Sequence, residues 1–333
     1  MSPSISILGT GAWGTAFAKV LADAGHSPLM WGRSASTVRD ITENHHNSAR
    51  LPGFPLPETI RATTDLKEAV QSADVLVVAV PAQSARSVLE RAPHLRADAS
   101  VVSLMKGVEL STDLRMSEVL TDVLGVSQER LVVVSGPNLA REIAAEQPTA
   151  TVLAGRDDER VKSVARLTIT DYFRPYTNSD VIGVEIGGAV KNVVAIAVGM
   201  ASGAGFGDNT KATLITRGLA EITRLATALG AESATMAGLA GMGDLVATCA
   251  SPLSRNHSFG ASLGRGLGVD DAIAAAGGTV EGAKTCRSVL ELARAHDVDM
   301  PLTEAVVAVL RDGLNLEDMT RLLLSRPHKD ERA

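Results

Sequence analysis

Ile5-Ser6-Ile7-Leu8-Gly9-Thr10-Gly11-Ala12-Trp13-Gly14 is the stretch that decides the fold. A short apolar strand runs into G-x-G-x-x-G, and Thr15 to Ala24 then carries helical spacing. In that setting each glycine has a task. Gly9 permits the tight turn, Gly11 lets a pyrophosphate reach the backbone, and Gly14 lets helix and strand pack closely. The helix N-terminus presents free amides to the phosphates, and Thr10 and Trp13 lie between the glycines. The bland alternative is a glycine-rich turn; strand, spacing and helix together favour a dinucleotide site.

Ser27 to Arg33 reads as a second strand, ending about twenty residues past the fingerprint. An acid there would hold the ribose 2′-hydroxyl of NAD; Gly32-Arg33 stands instead. An arginine suits a 2′-phosphate, which favours NADPH over NADH, and a solvated loop arginine is the alternative. Further strands are expected at Val75–Val80, Ser100–Met105, Leu131–Ser135, Thr151–Ala154 and Tyr172–Tyr176. Strands alternating with helices imply a parallel, doubly wound, Rossmann-like α/β sheet, whose ligands sit beyond the strand C-termini. Lys106-Gly107 and Ser135-Gly136-Pro137-Asn138 are placed there. Lys106 is then a cation at the cofactor crevice rather than a surface lysine.

After Asp180 the chain turns rich in alanine, leucine and glycine with helical periodicity. Two domains are expected: residues 1–180 binding dinucleotide, and an all-α substrate domain over 181–333. Helices are expected at Val181–Ser202, Thr210–Leu229, from Leu245 onward, Ser254–Leu263, Asp270–Ala276, Gly282–Ala295 and Pro301–Asp312. In Glu185-Ile186-Gly187-Gly188-Ala189-Val190-Lys191-Asn192, the positions sharing the Lys191 face include no acid. That lysine is either desolvated for proton transfer, beside an anion-holding cavity, or snorkelling to water. Gly187 and Gly188 thin the same face, so a ligand could approach the backbone.

Asp244 follows the glycine run Gly241-Met242-Gly243, with Thr248 one turn on. It needs a partner, and Lys191 is unpaired; plain helix capping is the alternative. Ser254-Arg255-Asn256 reads as an N-cap followed by a cation and an amide in the first turn. A cation there opposes the helix dipole, so the turn makes a phosphate cradle.

Composition narrows the classes. With 3% aromatic residues, stacking surfaces for nucleic acid are scarce, and a net charge of −6 argues further against a basic footprint. Two cysteines are too few for a disulfide scaffold, and Met1-Ser2-Pro3-Ser4 has no basic signal region. The longest apolar stretch is interrupted by Lys191-Asn192. These features fit a cytoplasmic enzyme without membrane or metal. Oligomeric state is open, with a homodimer through the helical half one possibility.

Taken together, the motifs resemble NAD(P)-dependent glycerol-3-phosphate dehydrogenase of the bacterial, cytoplasmic type. The likeness rests on Gly187-Gly188-Ala189-Val190-Lys191-Asn192, Gly205 to Lys211, Leu214 to Leu219, Gly241-Met242-Gly243-Asp244-Leu245 and Ser254-Arg255-Asn256. It implies reversible hydride transfer between NAD(P)H and dihydroxyacetone phosphate, giving sn-glycerol 3-phosphate for glycerophospholipid synthesis. By that likeness Lys191 is the general acid/base, Asp244 orients it, and Lys106 touches substrate and cofactor. Gly136, Asn138, Asn192, Thr248, Ser254, Arg255 and Asn256 fall at substrate positions, with the phosphate at Arg255 and Asn256. Gly9, Thr10, Gly11, Trp13, Gly14, Arg33, Lys106, Ala140, Arg255, Val280 and Glu281 fall at cofactor positions. One departure is Asn138-Leu139, where relatives often carry serine or threonine and then phenylalanine.

Two rivals remain at this stage. A β-hydroxyacid or 6-phosphogluconate-type dehydrogenase also joins such a sheet to helices and uses a helix lysine. A non-catalytic NADP-sensing protein would need no Lys191, Asp244 and Arg255 constellation.

Overall fold

The computed structural model of the chain describes residues 2–277 and 280–314. Among these, one eight-stranded sheet is formed by β1 (Ile5–Leu8), β2 (Leu29–Trp31), β3 (Arg61–Thr63), β4 (Val75–Val78), β5 (Ser100–Ser103), β6 (Leu131–Ser135), β7 (Thr149–Ala154) and β8 (Phe173–Asn178). Their order across the sheet is β3-β2-β1-β4-β5-β6-β7-β8. Every neighbouring pair is parallel except β6 with β7, where Val133 faces Ala154 and Ser135 faces Val152. The expected doubly wound sheet is therefore present, with one antiparallel step.

Helices α1 (Ala12–Asp23), α2 (Ala35–Glu43), α3 (Leu66–Gln71), α4 (Ala85–Leu89), α5 (Met116–Leu124), α6 (Ala140–Ala144) and α7 (Asp158–Arg166) connect the strands. Strands β1, β4, β5 and β6 are buried along their whole length, because helices cover both faces. That double cover is why they read as continuous apolar runs. The edge strand β3 is Arg61-Ala62-Thr63, without an apolar run, and sequence periodicity passed over it.

The helical part comprises α8 (Val181–Gly203), α9 (Asp208–Ala228), α10 (Ser233–Ala237), α11 (Asp244–Ala250), α12 (Arg255–Gly264), α13 (Val269–Ala275), α14 (Glu281–Ala295) and α15 (Pro301–Asp312). Asp180 begins it: its Oδ1 accepts from the Gly183 amide at 2.8 Å. Its other oxygen accepts from the Glu232 amide and the Thr235 hydroxyl. Helix α8 is long and apolar enough to cross a membrane, yet 89% of its apolar window is buried inside the molecule. It is the axle around which the other helices pack.

The closest of those packings is with α12. A Cβ at Gly260 would lie 2.1 Å from the Ile196 carbonyl oxygen, and one at Gly199 2.2 Å from that of His257. Only glycine lets these backbones meet, and the same crossing brings the N-terminal turn of α12 beside Asn192 of α8.

Candidate active site

Three elements converge beyond the C-terminal edge of the sheet. The loop after β5 supplies Lys106, the middle of α8 supplies Lys191, and the first residue of α11 supplies Asp244. The Asp244 carboxylate is 1% exposed and bridges both lysines. Its Oδ2 lies 2.6 Å from Lys106 Nζ, while its Oδ1 accepts from Lys191 Nζ. Lys191 also donates to Thr248 Oγ1 at 2.7 Å, and Lys106 to the Gly136 carbonyl at 3.0 Å. Lys191 therefore does not snorkel: its side chain is 8% exposed and its charge is met by an acid from another helix.

The local reason for this placement lies in a π-helical turn, Leu239–Gly243, that runs directly into α11. The glycines preceding Asp244 are thus helical rather than a flexible run. Asp244 is not a capping residue either, since its carboxylate is spent on the two ammonium groups. The expectation that a ligand approaches Gly187 and Gly188 is corrected. A Cβ at Gly187 would lie 2.6 Å from the Ala240 carbonyl oxygen of the π turn. One at Gly188 would lie 2.6 Å from Ser135 Oγ and 3.5 Å from Lys106 methylenes. The glycines admit protein: the π turn and the β6 end close onto α8.

A chain of amides runs alongside. The Gly282 amide donates to Asn256 Oδ1 at 3.0 Å, and Asn256 Nδ2 donates to Asn192 Oδ1 at 2.9 Å. Asn192 thereby has its NH2 group left to donate outward. Ser254 caps α12 as expected, its Oγ accepting from the His257 amide at 3.3 Å. That use commits the oxygen to the helix. Arg255 is exposed in the first turn, with no acid on α12 beside it.

Glu281, first residue of α14, lines a cleft together with Ala82 beyond β4. Burial pushes its carboxyl above the usual range, and Arg255, Lys106 and Lys191 pull it back down. Val280 beside it is buried in the helical core. Burial likewise pushes Lys106 down to about 8; Asp244 opposes that shift and Lys191 adds to it. The lysines and Arg255 set three positive charges against the two carboxylates of Asp244 and Glu281, an excess that suits an anion.

At the same C-terminal edge, past β1, the fingerprint has the expected form. Gly9 has φ +125°, and a Cβ there would strike the Ala79 carbonyl at 2.6 Å; Gly14 packs against Gly9 itself. Helix α1 begins at Ala12, inside the motif, with Gly11 at its N-cap and no side-chain cap or acid in its first turn. Open space lies beside Gly11. Unused amides facing open space fit a dinucleotide pyrophosphate. Trp13 and Ala140 pack in one cluster, and Arg33 is exposed past β2.

Sequence reasoning missed several supporting groups. Asn47 is 1% exposed, and its Nδ2 donates to the Thr10 carbonyl at 3.0 Å and to Thr15 Oγ1 at 2.8 Å, bracing the fingerprint. Thr151 donates to the Ser135 carbonyl at 2.9 Å and accepts from Asn138 Nδ2 at 3.0 Å. Asn138 is thus turned partly toward the sheet, and its Oδ1 is buried without a partner among the described residues. Nothing in the polar run His45-His46-Asn47-Ser48 signals such a role.

Comparison with known proteins follows the same outline. Residues 4–161 match the family model for the NAD-dependent glycerol-3-phosphate dehydrogenase N-terminus, and residues 180–321 the model for its C-terminus. The chain is 55% identical over 330 residues to a glycerol-3-phosphate dehydrogenase (NAD(P)+) of Thermobifida fusca, covering 98% of each. It is 54% identical to that of Streptomyces griseus, again covering 98% of each. Among solved structures it is similar to a glycerol-3-phosphate dehydrogenase from Coxiella burnetii, with TM-score 0.93 and 38% identity. That match covers 98% of this chain and 99% of the other.

Proposed function

The chain belongs to the NAD-dependent glycerol-3-phosphate dehydrogenase family, and on that premise we propose the roles its residues play. The reaction is reversible hydride transfer between NAD(P)H and dihydroxyacetone phosphate, giving sn-glycerol 3-phosphate. The rival hydroxyacid and sensor readings fall away with that membership.

In this proposal Lys191 gives its proton to the C2 oxygen of dihydroxyacetone phosphate, where negative charge develops. The bound reduced nicotinamide supplies the hydride. Asp244 holds and aims the Lys191 amine, and Thr248 fixes its orientation through the 2.7 Å bond. Lys106 stabilises the developing alkoxide from the sheet side and meets both substrate and cofactor. Asn192 donates its outward NH2 to the substrate. Arg255 and Asn256 hold the phosphate, Ser254 holds their helix turn, and Gly136 and Asn138 line the opposite wall. The phosphate handle supplies binding energy remote from C2 and orients the carbonyl.

For the cofactor, Gly9, Thr10, Gly11, Trp13 and Gly14 hold the pyrophosphate, with Ala140 beside Trp13. Arg33 meets the adenosine end and favours NADPH; Lys106, Arg255, Val280 and Glu281 surround the nicotinamide end. Residues 1–180 form the cofactor domain and 181–333 the substrate domain, of which 278–279 and 315–333 lie outside the described residues. In this reading the protein works in the cytoplasm, as monomer or homodimer, on small molecules without nucleic acid or membrane. Its product feeds glycerophospholipid synthesis.

The observation that carries the proposal is the single buried carboxylate shared by Lys106 and Lys191. The test is NADPH and NADH oxidation at equal concentration with dihydroxyacetone phosphate, set against a β-hydroxyacid. Turnover with the former and faster rates with NADPH are expected; turnover with the hydroxyacid alone would overturn the assignment.

A further inference from the structure

Six residues before Lys191, on the same helix, lies a second buried carboxylate that the proposed chemistry does not use. Glu185 of α8 is 6% exposed. Its partners come from the cofactor domain: Arg115 Nη1 at 2.6 Å, the Ser117 amide at 2.7 Å and Ser117 Oγ at 2.6 Å. Ser117 lies in the first turn of α5, so Glu185 sits at the positive end of that helix's dipole. Arg115 is steadied in turn by Glu118, which accepts from its guanidinium at 2.7 Å and from its amide at 2.8 Å.

The segment that carries Arg115 also carries Lys106. Lys106 stands at one end of the connection between β5 and α5, and Arg115 at the other. A bridge between Val108 and Arg115 closes that connection into a compact loop. Its two ends grip the helical domain at two points: Lys106 holds Asp244, and Arg115 with Ser117 holds Glu185. Asp244 holds Lys191, and Lys191 is joined to Glu185 by about 9 Å of rigid α8, at 1.5 Å per residue. The contacts therefore form a closed ring: Lys191, Asp244, Lys106, the loop, Arg115, Glu185 and back along α8.

Cohesion alone does not call for this arrangement. Around Glu185 the helix meets the sheet through apolar contacts, with Val184 packed among Val133, Val152 and Ala240. A buried ion pair is often no more stable than apolar residues of the same volume. Apolar surfaces do not define register, however, whereas a carboxylate held by three directed donors does.

We propose that Glu185 is a positioning residue, locking the axial position and rotation of α8 so that the Lys191 amine is held against the cofactor domain. The proposal rests on the acid role given to Lys191. Its consequence is that loss of the lock slows the chemical step while leaving the fingerprint, and so cofactor affinity, untouched.

The test replaces the lock by apolar residues, Arg115→Met with Glu185→Met, which keeps volume while removing direction. The expected double variant binds NADPH within about twofold of wild type and unfolds within a few degrees of it. Its kcat falls on the order of tenfold, and the isotope effect on kcat with NADPH deuterated at the transferred hydrogen increases. A folded double variant with wild-type kcat and isotope effect would overturn the proposal, since a merely cohesive pair affects unfolding temperature alone. If that variant does not fold, Ser117→Ala removes one hydroxyl and keeps the backbone amide. A reduced kcat with unchanged NADPH affinity supports the lock, and unchanged kcat refutes it. Lys191→Ala assayed alongside separates the failures: full turnover there overturns the acid role, whereas lost turnover there with a wild-type double variant overturns the positioning role alone.

Discussion

Lys106 Nζ and Asp244 Oδ2 meet at 2.6 Å, a cation from the loop after β5 against a helix-borne carboxylate that also holds Lys191. One anion thus serves two ammonium groups, one from the loop after β5 and one from α8. Removing its charge takes from both buried lysines the carboxylate they share, and breaking a buried pair costs about 3–5 kcal/mol. Asp244→Asn is expected to lower kcat/KM for dihydroxyacetone phosphate by about 10²–10⁴-fold, the range of general acid–base contributions. NADPH affinity, read by nucleotide fluorescence, should change little, because the fingerprint is untouched.

The depressed Lys106 ammonium has a consequence in pH. Burial lowers it to about 8, so it is charged below that pH and loses its proton as pH rises through it. A neutral Lys106 no longer attracts an anionic substrate. The kcat/KM profile for dihydroxyacetone phosphate should therefore fall above about pH 8. In Lys106→Arg, whose guanidinium stays charged, that limb should move beyond the measurable range even if the maximum rate is lower. An unmoved limb would assign it to another group.

Asn256 joins α12, α8 and the start of α14 through its two bonds to Asn192 and Gly282. Asn256→Ala frees the Asn192 amide to rotate and leaves the Gly282 amide without its acceptor. An unmet buried polar group costs about 1–3 kcal/mol. We expect kcat/KM to fall by about 10- to 100-fold, mostly through KM, in steady-state assays.

The crossing of α8 and α12 tolerates no side chain where the backbones touch. Gly260→Ala places a methyl 2.1 Å from the Ile196 carbonyl oxygen, which forces the helices apart. Overpacking of this kind costs about 1–3 kcal/mol or more. Calorimetry should show a Tm lower by several degrees. Gly207→Ala, where nothing lies within 4 Å, loses only the glycine cap of α9 without a clash and should lower Tm less.

Much of this architecture was legible in the residues. The doubly covered strands announce themselves as apolar runs, and the fingerprint names its own strand, turn and helix. Lys191 is conspicuous because an apolar helix offers it no local acid, and Asp244 because small apolar residues surround it. What escaped the reading depends on long-range contact. Lys106 as the second claimant on Asp244 is 138 positions away in sequence, and no periodicity links them. The π turn before Asp244 looks like a glycine loop until its packing against Gly187 is seen. Edge strand β3 lacks an apolar face, and Asn47 braces the fingerprint from a stretch without pattern. Arg115 and Ser117 give no sign of Glu185, since each reads locally as a helix start.

The central claim is that the Lys191 amine delivers the proton when the C2 carbonyl is reduced, and single-turnover kinetics of Lys191→Ala test it most directly. With enzyme-bound NADPH mixed against saturating dihydroxyacetone phosphate, the account predicts hydride transfer slower by at least about 10²-fold, with NADPH affinity within about twofold of wild type. Hydride transfer at the wild-type rate in that variant would contradict it.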